Sequence, residues 1–174
     1  MSIQTRNRPG TPRASRLPPQ ATTGIDIVRV VNPADRQAAL EIRRRVFADE
    51  QDVPDLSVSD ADDARSIIVL GSLVGPRGER WPVSTGRLTP PVLVSDPGLI
   101  AWVATVPEAR GRGVGAAVMR FLLAAADRAG TREVALAAQY PAEDFYERLG
   151  FIQAGPIYDV RGIPHRRMIR FRRA

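Results

Sequence analysis

The chain alternates between runs of apolar residues and short polar or proline–glycine breaks from about residue 24 onward. Ile25 to Val31 alternates well enough for a strand. Asn32-Pro33 then punctuates, and Pro33 suits a first helical turn. Ala38, Leu40, Ile42 and Val46-Phe47 supply the apolar stripe of a helix running to about Ala48. Asp49 to Arg65 is acidic and loop-like. Ser66 to Val74 reads as a buried strand, Gly75 to Gly78 as a turn and Trp81 to Leu88 as the partner strand of a hairpin. After breaks at Pro90-Pro91 and Asp96-Pro97-Gly98, Leu99 to Val106 is apolar throughout, the pattern of a central strand covered on both faces. Val114, Val118, Phe121, Leu122 and Ala125 then mark one face of an amphipathic helix that Gly130 stops. Glu133 to Ala138 predicts a strand, Pro141 to Leu149 a helix ended by Gly150, and Phe151–Ile157 and His165–Phe171 two more strands. No repeat and no second domain interrupt this order.

Met1 to about Thr23 differs. It has four prolines and four arginines and few large apolar side chains, so ordering it would not recover the entropy cost. The expectation is a disordered tail over residues 1–23 and one α/β (α+β) domain over residues 24–174.

Candidate chemistry begins where the apolar strand gives way to the amphipathic helix, at Pro107-Glu108-Ala109-Arg110-Gly111-Arg112-Gly113-Val114-Gly115-Ala116. The first N–H groups of a helix lack partners within it and point outward at the positive end of its dipole. Glycines let phosphate oxygens approach those groups, and Arg110 and Arg112 can add charge-assisted hydrogen bonds. A diphosphate site is the expectation; a purely structural glycine turn is the plain alternative. Gly111, Gly113 and Ala116 also fit G-x-G-x-x-A, but no acid stands at the end of the next strand, as a dinucleotide fold requires. A P-loop is excluded because no Gly-Lys-Ser/Thr follows.

Composition narrows the rest. There is no cysteine, which removes disulfides, thiolate zinc sites and a cysteine nucleophile. One histidine, His165, makes an all-protein metal site unexpected, so no metal is assigned. No apolar run spans a bilayer and the N-terminus has no secretory core, so the expectation is a cytoplasmic protein with no membrane partner. All 25 basic residues are arginines, giving a net charge of +6, with clusters near both ends. A polyanion could use such ends, but no basic strand interleaved with aromatics and no recognition helix is present, so no nucleic-acid partner is assigned.

Arg110-x-x-Gly113-x-Gly115 resembles the Q/R-x-x-G-x-G/A signature of the GNAT acyltransferases, after a Thr105-Val106-Pro107 strand exit. Phe145-Tyr146-Glu147-Arg148-Leu149-Gly150-Phe151 resembles the F-Y-x-x-x-G-F element that closes that family's acetyl-coenzyme A site. Arg45 to Pro54, the Asp60–Asp63 cluster, Ala137-Ala138-Gln139 and Tyr158 to His165 are similar to the ElaA-like branch. The resemblance implies a GNAT fold: a central mixed, mostly antiparallel sheet of about six to seven strands flanked by about four helices. The fourth and fifth strands would part to admit the pantetheine arm of acetyl-coenzyme A. Backbone groups at Ala104, Thr105 and Val106 would bind that arm. Arg110, Gly111, Arg112, Gly113, Val114, Gly115 and Ala116 would take the diphosphate. An amine would attack the thioester directly, with Tyr146 assisting the departing thiolate.

Tyr146 has a plain alternative as a packed aromatic, and Phe145 and Phe151 read as core. Glu50, Asp63 and His165 are open candidates for a general base, and Gln139 for orienting substrate or water; each could equally be a solvated or structural residue. The expected partners are acetyl-coenzyme A and an amine acceptor, either a small molecule or a protein N-terminus or lysine, with a homodimer also allowed. A second class stays open: a sensor that binds coenzyme A or an acyl ligand on the same fold with little turnover.

Overall fold

A computed structural model of the chain describes residues 22–172. The tail expected over residues 1–23 therefore lies almost wholly outside the described residues. Thr22 and Thr23 belong to the fold, Thr23 donating from its backbone N–H to the Val74 carbonyl at 2.8 Å. The elements run β1 (Gly24–Arg29), α1 (Pro33–Arg43), β2 (Ile67–Val74), β3 (Arg80–Thr89), β4 (Gly98–Thr105), α2 (Val114–Arg128), β5 (Glu133–Gln139), α3 (Glu143–Glu147), β6 (Ile152–Val160) and β7 (Ile163–Phe171). One seven-stranded sheet has the order β1-β2-β3-β4-β5-β7-β6. Every neighbouring pair is antiparallel except β4 with β5.

Local chemistry accounts for the boundaries. The Asn32 side chain caps α1 by accepting from Asp35 N–H at 2.9 Å, with Pro33 in the first turn. The helix expected to reach Ala48 stays α-helical only to Arg43 and continues as a wider π-helical turn over Arg44–Asp49. Arg44 binds Asp49, five residues on, at 2.7 and 2.9 Å, a spacing that suits the wider winding. Among the described residues there are three α-helices rather than about four, because this segment is π-wound and the Asp60 region forms only a short 3₁₀ turn, Ala61–Arg65.

Helices cover both faces of the sheet. On one side α2 packs Val118, Met119, Leu122 and Ala126, all without solvent exposure, against β2, β3 and β4. Gly71 and Gly86 permit this close approach, since a Cβ on either would stand 2.9 Å from a Val118 methyl. On the other side α1 and the π turn bury Ala39, Ile42 and Val46 against Ile68, Leu70 and Val83. No helix among the described residues is long and apolar enough to cross a membrane. The arginine-rich C-terminus is partly neutralised: Arg166 pairs with Glu143, Arg167 with Glu133 and Arg170 with Asp127.

Candidate active site

β4 and β5 pair through only Gly98↔Val134 and Leu99↔Ala135 and then part. β4 keeps its pairing to β3 beyond that point, and β5 keeps its own to β7, so a wedge opens between two intact half-sheets. The run from Leu99 to Val106, expected to be covered on both faces, instead presents Ile100 to Thr105 to a cleft of about 1110 Å³. Strand parting is the reason: an apolar sequence records burial against a neighbour, and here the neighbour is absent on one side.

A bulge shapes the β4 wall. Thr85 faces Ala104 and Arg87 faces Ala101, so Gly86 opposes both Trp102 and Val103. Trp102 adopts φ +56°, a backbone state costly for a bulky side chain. A closed circuit of side chains holds it. The indole Nε1–H donates to Asp60 at 3.0 Å, Asp60 binds Arg87, and Arg87 donates to Asp63 at 2.9 Å. Asp63 accepts from Arg43 at 2.9 Å, and the Arg43 guanidinium lies 5.2 Å from the centre of the Trp102 ring. Phe47 meets the same ring edge-on at 5.3 Å. For Asp60 and Asp63, desolvation pushes the carboxyl pKa up. Hydrogen bonds outweigh it in both, from Arg87 and Trp102 to Asp60 and from Arg43 and Arg87 to Asp63, and leave both below the ordinary value. Asp63 is therefore buried, ionised and fully engaged, and it does not line the cleft, so it is no candidate for a base. Its sequence cluster was visible; its partners, Arg43 and Arg87, were not.

The glycine turn closes one end of the cleft. Gly111 and Gly113 take φ +75° and +80°, and Gly113 caps α2 in the left-handed conformation that glycine adopts without strain. Arg110, Gly111, Gly113, Val114, Gly115 and Ala116 all line the cleft, as do Ala104 and Thr105. A Cβ on Gly115 would stand 3.0 Å from Thr105 Oγ1, which itself is 2.9 Å from Ser84 Oγ. Val106 is buried and donates its N–H to Val83 instead. Arg112 turns to Thr22, donating to its hydroxyl at 2.8 Å, and is not among the lining residues. Arg110 is held by Glu50 through two bonds of 2.8 and 2.5 Å and donates from Nε to the Thr105 carbonyl at 3.1 Å.

The opposite wall holds the remaining candidates. Tyr146 lines the cleft while 8% exposed, and burial pushes its phenol up to about 12. Its ring meets Phe145 and Phe151 edge-on, and its hydroxyl has no hydrogen-bond partner among the described residues. His165 stacks on Tyr158, and its Nδ1 lies 2.8 Å from the Ile163 carbonyl. A carbonyl can only accept, so Nδ1 carries a hydrogen, and in the neutral ring Nε2 holds the lone pair. Gln139, at the end of β5 beside His165, meets Gln51 at 3.4 Å across the wedge. Glu50, Gln139, Tyr146 and His165 thus share one cleft, although 115 positions separate the first and last. Trp102, Asp60 and Phe47 also line it, although none was among the residues expected at the site. A lone aromatic inside an otherwise aliphatic and small-residue strand was the available signal for Trp102; nothing in the sequence marked its positive φ.

Residues 91–170 match the family model described as an acetyltransferase (GNAT) domain. An acyl-CoA N-acyltransferase from Pseudomonas aeruginosa is 28% identical, with 84% of this chain and 99% of that one covered and a TM-score of 0.70. ElaA of Escherichia coli is 27% identical at the same coverages and the same TM-score. The uncharacterized protein YyaT of Bacillus subtilis is 29% identical over 141 residues, covering 81% of this chain and 92% of its own length. The parted strands, the glycine turn that caps α2 and these likenesses agree: the chain has the GNAT fold, its residues 91–170 match the acetyltransferase (GNAT) domain, and ElaA is among its structural neighbours.

Proposed function

We propose that the protein transfers an acetyl group from acetyl-coenzyme A to an amine by direct attack. The observation that carries this reading is the wedge between β4 and β5, which ends at the glycine turn of Arg110 to Ala116. A pantetheine arm needs a narrow channel lined by unpaired backbone groups, and a diphosphate needs amides of a helix start; the wedge and the α2 N-terminus offer both. Arg110 is available to the diphosphate because its present pair with Glu50 is exposed, and exposed pairs are worth only about 0–1 kcal/mol. An arriving phosphate would take Arg110 and release the Glu50 carboxylate toward the amine.

In the transfer, the amine nitrogen forms a bond to the thioester carbonyl carbon, and the carbon–sulfur bond breaks after a tetrahedral oxyanion. Backbone N–H groups of β4 beside the bulge would stabilise that oxyanion. Tyr146 donates a hydrogen bond to the departing thiolate, since a phenol raised to about 12 keeps its own proton against a thiol of pKa ~8.5. The nitrogen loses its proton to a base, for which His165 Nε2 and the released Glu50 are both placed in the cleft. Gln139 would orient the amine or a water. Thiol release from acetyl-coenzyme A across a panel of amines, with product masses, tests the reading. Growth of an acetylated product is expected. Tight coenzyme A binding without turnover on any amine would favour a sensor instead.

A further inference from the structure

We propose that the acceptor is an amino carboxylic acid, and that Arg161 takes its carboxylate; this rests on the acyl-transfer reading above. Among the described residues, Asp52, Trp102 and Arg161 are the non-glycine positions with positive φ. Trp102 and Arg161 line the cleft, and Asp52 stands between the lining residues Gln51 and Val53. The circuit through Asp60 and Arg43 holds Trp102, and Asp52 sits in a turn in which its own N–H donates to the Asp49 carbonyl. Arg161 has no such account.

Arg161 and Gly162 are the two central residues of the β6–β7 hairpin, with φ +54° and +81° between the paired Val160 and Ile163. Both centres being left-handed suits Asn-Gly or Gly-Gly, and an arginine is costly there. The turn does not need it, since the Asp159 carboxylate already accepts from Gly162 N–H at 2.8 Å. Strain that brings no local bond points to use by a ligand. The guanidinium makes no hydrogen bond or ion pair among the described residues. Of the other lining arginines, Arg87 is held by Asp60 and Asp63 and Arg110 by Glu50, while Arg148, which makes no side-chain bond among the described residues either, follows α3, whose Phe145 stands near Gly115 of the glycine turn and so on the diphosphate side.

Position agrees. β7 pairs with β5 only as far as His165↔Gln139, so the hairpin tip runs on past the end of β5 into the mouth of the wedge. Arg161 therefore stands on the same wall as Gln139 and His165, the groups that would handle the amine. A guanidinium offers a planar pair of donors that matches a carboxylate. An amino acid could then place its amine toward the thioester and its carboxylate on Arg161.

The test uses the full chain, acetyl-coenzyme A and matched acceptors: phenylalanine, leucine and methionine, each against its carboxamide. The parent should prefer each acid in kcat/KM by about 10–100-fold, the range of one charge-assisted contact. Arg161→Ala should lose that preference, the acids falling to the level of the amides, and Arg161→Lys should recover part of it. Arg161→Asn should also lose it while raising Tm, since asparagine relieves the turn. Coenzyme A affinity by calorimetry should stay at the parent value in all three. Equal use of acid and amide by the parent would overturn the inference. So would an Arg161→Ala protein that keeps the preference, or one that loses coenzyme A affinity, which would put Arg161 on the cofactor. If no pair turns over, binding of the acids to coenzyme A-loaded protein decides. Acid binding lost in Arg161→Ala upholds the inference and counts against transfer, whereas no binding of any acid overturns it.

Discussion

Tyr146 keeps its proton over the working pH range, because burial lifts its phenol to about 12. Removing that hydroxyl as Tyr146→Phe should lower kcat by about 10–1,000-fold and leave the KM for acetyl-coenzyme A nearly unchanged, since the ring still packs. The parent's pH–rate profile should show no loss of activity from this group below about pH 11. Asp63 carries a different weight. Asp63→Asn leaves two buried guanidinium groups without their shared counter-charge, a loss of about 3–5 kcal/mol on a chemical denaturation curve. The folded-state pKa of Asp63 lies below its ordinary value, so the stability it adds is complete above about pH 4 and drains as pH falls further. Acid unfolding of the parent should therefore steepen below pH ~4, and that component should vanish in Asp63→Asn.

At the scale of elements, the glycine turn can be tested with little risk to the fold. A Cβ at Gly113 would meet only Ile25 Cδ1, at 3.8 Å, so the cost of Gly113→Val comes from its φ of +80° and from crowding the amides of α2. Unfolding should stay cooperative while calorimetry shows coenzyme A binding lost; undiminished affinity would remove the turn from the site. The turn and its helix were legible because both are local: glycine spacing and a 3.6-residue apolar period lie within one stretch of chain. The π winding after Arg43 was not, since Arg44 reaches Asp49 only once the wider turn exists. Nor was the bulge at Trp102, which depends on register against β3. The sequence period marked where strands lie, and their parting is a property of pairs of strands far apart in the chain. Glu50 and His165 were named as candidates from residue type and resemblance, whereas their common cleft is a product of the sheet order.

Seen whole, the molecule is two half-sheets joined by two residue pairs, Gly98↔Val134 and Leu99↔Ala135. Amides of residues 100–105 that face away from β3 should exchange with solvent quickly in the free protein and slow on addition of coenzyme A, as read by hydrogen exchange. A ligand lying in that gap would supply contacts across the sheet that the chain itself does not make. Its binding energy would then count toward folding, adding roughly 2.7 kcal/mol at a hundredfold excess over Kd. The lifetime of the protein against proteases would rise and fall with the supply of that ligand. A chain starved of that ligand would be the first to be cleared.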